Sequence, residues 1–302
     1  MMHIERHYLD VKNPDAQRLT TDPVKLAVRL HRGARDPESS PLPAILLCHG
    51  FCCIQDVLLP AFVRLFADAG YRVVTFDYRG FGDSDGEVGR IVPEEQIDDI
   101  ITVYEWCKTH PGIDGRRIAL WGTSLGGGHV IEVAARRPDV KCVISQLAFA
   151  DGEQLVTGDM GAEEKRRFTA TMVRMAAKKK QTARELFVPI IKVMTDEESR
   201  VFFERQKQTY QALDIKIPYL TVWETMCYRP INAAPRVTQP TFMVFAEQDK
   251  VIALEYGLAL YEAIKAVKGC HIQPKARHYE VFAGDHLDQI SERQLHWLRE
   301  YL

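Results

Sequence analysis

The chain has 302 residues, 39 basic against 41 acidic side chains for a formal net charge of −2, and 46% apolar residues. Such a chain can bury a large core, which excludes disorder and a disulfide-stapled mini-fold. The near-neutral balance argues against nucleic acid or an anionic bilayer as partner, since both call for a clear cationic excess.

At the N-terminus, His3, Glu5, Arg6 and His7 stand where a secretory signal needs an apolar stretch. No apolar run approaches the ~18 residues of a membrane span, so a cytoplasmic protein is expected. Ile4 to Val11 and Val24 to His31 alternate apolar and polar residues and predict an antiparallel opening hairpin or sheet edge. Short continuous apolar runs at 44–49, 72–77, 117–121 and 141–146 then alternate with helical segments at about 57–69, 94–108 and 124–137. That rhythm predicts βαβ units around a mostly parallel sheet covered on both faces. From Asp151 the rhythm breaks: Ala162 to Lys180 and Asp196 to Gln211 have helical composition with no strand between them, which predicts a helical cap over 151–231. Strand Thr241 to Ala246, a helix from Leu254 to Val267, strand Tyr279 to Ala283 and a helix from Leu287 to Tyr301 complete a core made of 1–150 and 232–302. The seven cysteines lack CxxC spacing and neighbouring His pairs, so they read as reduced apolar residues and not as a metal site.

Gly122-Thr123-Ser124-Leu125-Gly126 spells GxSxG where an apolar strand runs into a helix-forming segment. This is the context of a nucleophile elbow, a strained turn that lifts a serine hydroxyl above the sheet, with flanking glycines because neighbouring backbone passes close. Gly82-Asp83-Ser84-Asp85-Gly86 fits the same pattern. It has no apolar helix after it, and Ser84 reads as a polar turn.

A serine hydroxyl becomes nucleophilic at neutral pH when an imidazole takes its proton and a carboxylate orients the imidazole. The chain order in such folds is Ser, acid, His, with the last two on loops after late strands. Thr241 to Ala246 ends in Glu247-Gln248-Asp249, and Tyr279 to Ala283 ends in Gly284-Asp285-His286, which assigns Asp249 as acid and His286 as base. Glu247 and Asp151 are alternative acids. His271 and His278 precede the last strand of this scheme and read as surface residues; His129 reads as a packing residue of the helix after the elbow. The oxyanion donors are assigned to the Leu125 amide and to the Phe51 amide after the first parallel strand.

His49-Gly50-Phe51, Asp77-Tyr78-Arg79-Gly80-Phe81-Gly82, Gly122 to Gly126, Asp249 and Gly284-Asp285-His286 together resemble the α/β-hydrolases, within them the esterase, dienelactone-hydrolase-like and fungal polyketide-acyltransferase group. The resemblance spans about 24–150 and 226–302 and includes Tyr228-Arg229-Pro230. It implies an eight-stranded, mostly parallel sheet with catalytic loops at its C-terminal edge, and no cofactor. Serine at the elbow disfavours the dehalogenase and epoxide-hydrolase chemistries, which use aspartate there. The expectation is a carboxylesterase acting on small or medium acyl esters through an acyl-enzyme on Ser124. Cys52, Trp223 and Tyr228 are expected among the substrate contacts. Between Met160 and Lys216, 13 basic and 8 acidic residues leave a local excess of 13 − 8 = +5. That excess suits a solvated helix face, or else a thioesterase or acyltransferase handling phosphorylated carriers. A ligand-binding protein on the same scaffold is a further alternative, against which the complete Ser, Asp, His set argues.

Overall fold

The strand Leu42–Cys48 shows why the chain builds a sheet covered on both sides. Ile45 and Leu47 pack into one apolar cluster, whereas Ala44, Leu46 and Cys48 pack into another. Successive side chains point to opposite faces, so a run that is apolar throughout needs a layer of helices on each side.

The computed structural model describes residues 2–11, 24–34, 40–194 and 196–302. In chain order the elements are β1 (His3–Val11), β2 (Val24–Arg32), β3 (Leu42–Cys48), α1 (Leu59–Asp68), β4 (Arg72–Phe76), α2 (Pro93–Thr109), β5 (Ile113–Thr123), α3 (Leu125–Arg136) and β6 (Cys142–Gln146). After β6 come α4 (Gly152–Thr157), α5 (Ala162–Thr182), β7 (Phe187–Pro189), α6 (Glu197–Thr209), β8 (Lys216–Pro218) and α7 (Thr221–Cys227). The chain closes with β9 (Thr241–Ala246), α8 (Leu254–Ala263), β10 (Lys268–Gln273) and α9 (Gly284–Tyr301).

Eight strands form one sheet in the order β1-β2-β4-β3-β5-β6-β9-β10. β2 runs antiparallel to its neighbours β1 and β4, and every pair from β4 to β10 is parallel. Phe62 and Phe66 of α1 and Ile290 and Leu298 of α9 cover one face. Ile97 and Ile100 of α2 and Val130 and Val133 of α3 cover the other. This matches the expected class: a mostly parallel eight-stranded α/β sheet flanked by helices.

Two expectations are corrected. Tyr279 to Ala283 is no strand: Glu280–Phe282 forms a 3-10 turn that buries Val281 and Phe282 against the α1 and α9 face. The last strand is β10, which pairs with β9 and ends immediately before Pro274. Segment 151–231 also contains a two-stranded antiparallel sheet, β7 with β8, beside its helices.

The second GxSxG is a structural turn. Ser84 Oγ donates to the Asp77 carbonyl at 2.6 Å and accepts from the Ala27 amide at 2.8 Å, tying the loop after β4 to β2. Ser84→Ala therefore lowers unfolding free energy by about 1–2 kcal/mol in urea titrations. A variant as stable as the wild type would show that these bonds contribute nothing net.

Candidate active site

Ser124 sits between β5 and α3 with φ 56° and ψ −121°, in a region that a β-carbon disfavours. Its amide donates to the Gln146 carbonyl of β6 at 2.8 Å, and its carbonyl accepts from the Gly127 amide at 2.9 Å, so the turn is held from both sides. A β-carbon on Gly126 would lie 2.4 Å from the Cys48 carbonyl oxygen, and one on Gly50 would lie 3.1 Å from Ser124 Cβ. The loop after β3 is thus pressed against the elbow, and only side-chain-free residues allow the approach.

The structure brings His278, and not His286, to this place. Asp249 follows β9, and its Oδ1 accepts from the amides of Val251 and Ile252, both at 2.8 Å. Its Oδ2 accepts from His278 Nδ1 at 2.7 Å, with both residues buried. An ionised carboxylate only accepts, so Nδ1 carries the proton and Nε2 keeps its lone pair. Burial opposes charging of the His278 ring, but the Asp249 carboxylate, and beyond it Glu198 and Asp196, outweigh that and hold the imidazole above its ordinary value. The loop bearing His278 is stitched to the loop bearing Asp249: the Gln248 amide donates to the Ala276 carbonyl at 2.9 Å, and the Lys275 amide to Glu247 Oε2 at 2.7 Å.

His286 instead lies in the first turn of α9, where its Nδ1 meets Gln273 Nε2 at 3.0 Å. The error follows from the misplaced strand. Counted from β10, the histidine on the loop after the last strand is His278. β10 escaped notice because Lys268-Gly269-Cys270-His271-Ile272-Gln273 is a half-exposed edge strand with no apolar run. The signal available was Pro274, which forces extended backbone before it and cannot continue a paired strand.

The other candidates have structural duties. Glu247 holds the Lys275 amide; Asp151 caps α4 through the Glu153 and Gln154 amides and pairs with Arg229 at 3.5 Å. His129 is buried between Tyr228 Oη at 2.9 Å and Gln96 Oε1 at 3.0 Å, and burial lowers its pKa to about 3, so it is a neutral core residue.

Ser124, His278 and the Phe51 and Leu125 residues line one cavity of about 390 Å³. As the first residue of α3, Leu125 has an amide with no partner within the helix, which leaves it able to serve an oxygen beside Ser124. Segment 151–231 supplies much of the opposite wall, including Leu155, Met160, Phe168, Phe203 and Val222, with Lys192, Asp196 and Arg200 as charged members. The three expected substrate contacts are not among the lining residues. Cys52, at φ 52°, packs into the core while Cys53 lines the cavity; Trp223 packs with a small cluster around Met172 and Met226; Tyr228 is bonded to His129. Burial pushes the Cys53 thiol up to about 12, so it is wall and not nucleophile. Among the described residues, no helix is long and apolar enough to cross a membrane.

A family model described as X-Pro dipeptidyl-peptidase (S15 family) matches residues 22–287. An uncharacterized 31.7 kDa protein from the traX-finO intergenic region of Escherichia coli is 49% identical over 261 residues, covering 86% of this chain and 91% of that protein. Thiohydrolase aneE of Aspergillus aculeatus is 25% identical over 299 residues, covering 94% of this chain and 92% of its own. Among solved structures, DcsB in complex with its substrate analogue aligns with a TM-score of 0.83 at 20% identity, covering 99% of this chain and 100% of that one. At that identity the likeness is one of fold.

The Asp249–His278 pair also makes stability depend on pH. Because the folded-state value of His278 lies above the ordinary ~6.5, its protonation favours the folded state. That contribution is complete below the unfolded value and is lost as pH rises through the folded one. His278→Gln removes this component from unfolding free energies measured between about pH 5 and pH 9, whereas His286→Gln leaves it in place. An unchanged pH dependence in His278→Gln would contradict the pairing.

Proposed function

This chain belongs to the X-Pro dipeptidyl-peptidase (S15) family, an α/β-hydrolase family, and from that footing we propose that it is a serine hydrolase cleaving carboxylic esters through an acyl-enzyme on Ser124. One observation carries the proposal. A serine in a strained elbow shares a cavity with an imidazole whose far nitrogen is bonded to a buried carboxylate at 2.7 Å.

Ser124 Oγ attacks the acyl carbonyl while His278 Nε2 takes its proton. Asp249 fixes the tautomer and stabilises the imidazolium that forms. The Leu125 and Phe51 amides hold the oxyanion of the tetrahedral intermediate, each such donor being worth on the order of 3 kcal/mol where measured. His278 then protonates the departing alcohol, and a water activated by the same ring releases the acid. The apolar wall from segment 151–231 suits an acyl chain of small or medium length.

A second reading, thioester cleavage or acyl transfer, is favoured by the full-length similarity to a thiohydrolase and by the +5 excess between Met160 and Lys216. The chemistry at Ser124 is the same, and only the leaving group and the acceptor differ.

A fluorophosphonate probe labels the wild type and His286→Ala, but not Ser124→Ala, and labels His278→Ala at least a hundredfold more slowly, on the order of what one lost triad member costs. Labelling of Ser124→Ala would remove Ser124 as nucleophile. A chain-length series of p-nitrophenyl esters, run beside acyl-CoA substrates and an X-Pro p-nitroanilide, sets the substrate class. Short or medium esters should give the highest kcat/KM. A preference of orders of magnitude for acyl-CoA would establish the thioesterase reading, and preference for the anilide would make the protein a peptidase.

A further inference from the structure

The mechanism above uses one carboxylate at His278, yet the structure sets a second beside it. Helix α6 starts at the Asp196 cap, whose Oδ1 accepts from the Ser199 amide at 2.6 Å, and its first two turns lie against Tyr279. Glu198 Oε1 accepts from the Tyr279 amide at 3.3 Å, the peptide directly after the base. Ser199 Oγ meets Tyr279 Oη at 3.0 Å, and the Phe202 ring stacks on the Tyr279 ring with centroids 4.0 Å apart and planes 9° from parallel. Three side chains of one helix therefore grip the residue next to His278.

Glu198 stands out among them. Its Oε2 is buried and has no hydrogen-bond partner among the described residues. A buried acceptor without a partner costs free energy unless its charge is compensated by a cation nearby. The titratable side chains that act on it most strongly are His278, Asp249 and Asp196. The group able to become cationic in that set is His278, which Asp249, Glu198 and Asp196 all favour in its charged form. Burial holds the Glu198 carboxyl above its ordinary value, as a desolvated carboxylate requires. Glu198 does not line the cavity, so it reaches the reaction only through the base.

We propose that Glu198 is a positioning residue for His278: its Oε1 fixes the backbone behind the base, and its charge adds to that of Asp249 in stabilising the imidazolium. The role rests on His278 being the base. It also gives α6 a task beyond forming a wall, since the helix that borders the cavity through Asp196, Ser199 and Phe203 holds the catalytic loop as well.

Glu198→Gln separates the two contributions, because the amide oxygen can still accept from Tyr279 while the charge is gone. With a short p-nitrophenyl ester, the acid limb of kcat/KM in this variant moves to lower pH by roughly half a unit or more, since a lost neighbouring anion makes the imidazole easier to deprotonate. Glu198→Ala also loses the backbone contact, and its kcat falls on the order of tenfold or more with KM within about twofold, because the cavity wall is untouched. Glu198→Asp restores the charge and keeps the wild-type limb. A Glu198→Gln profile superimposable on the wild type, while His278→Gln is inactive, would overturn the role of Glu198 and leave the base assignment standing. An active His278→Gln would instead remove the base itself, and the role of Glu198 with it.

Discussion

A hydrogen bond between a buried carboxylate and a buried imidazole is the constraint around which the C-terminal half of this molecule is organised. The buried Asp249 carboxyl group has its oxygens satisfied by two backbone amides and the His278 ring. The same bond decides which nitrogen of the His278 ring carries the proton while the ring lines the cavity beside Ser124. Remove either and the other loses its buried side-chain partner. The loops after β9 and β10 are laced by main-chain contacts at Gln248 and Lys275, so the pair is set by the fold of both loops and not by either alone.

Strain is concentrated around the same cavity. Ser124 at φ 56°, Cys52 at 52°, Leu58 at 67° and Lys275 at 60° are four of the six non-glycine residues with positive φ among those described. They lie at the elbow, in the segment behind the oxyanion loop and in the loop that delivers the base. Each such conformation costs about 1–3 kcal/mol and persists only where surrounding structure imposes it. Here the imposing structure is the parallel sheet: β3, β6, β9 and the C-terminal half of β5 are buried nearly throughout, and their C-terminal ends lead to Phe51, Ser124 and Asp249 along one edge. Segment 151–231 lines much of the cavity and, through α6, contacts Tyr279 beside His278.

Much of this was legible in the sequence, and the failures have physical causes. Ser124 could be told from Ser84 because one follows a continuous apolar strand and precedes a helix, whereas the other sits among aspartates that satisfy a turn. Asp249 was readable because β9 is buried along its whole length and so announces its own end. The histidine paired with Asp249 is hidden in the sequence because β10 is an edge strand: one side pairs, much of the rest is only half-buried, and Lys268 to Gln273 carries no hydrophobic signature. The apolar cluster after it, Val281 and Phe282, owes its character to packing under a 3-10 turn, which looks the same as a short strand in one dimension. Cavity contacts fared worse for a related reason. Trp223 and Tyr228 are large and apolar enough to line a pocket, but composition does not tell which of two apolar surroundings a side chain faces, and both face packed protein. The β7–β8 pair is too short, at three residues each, to leave a periodic trace.

The geometry at the Asp249–His278 bond can be observed directly by proton NMR, where an imidazole N–H shared with a buried carboxylate resonates far downfield of ordinary amides. One such signal is expected in the wild type and in His286→Ala, and none in His278→Gln or Asp249→Asn. A signal that survives His278→Gln and vanishes in His286→Ala would contradict the Asp249–His278 bond.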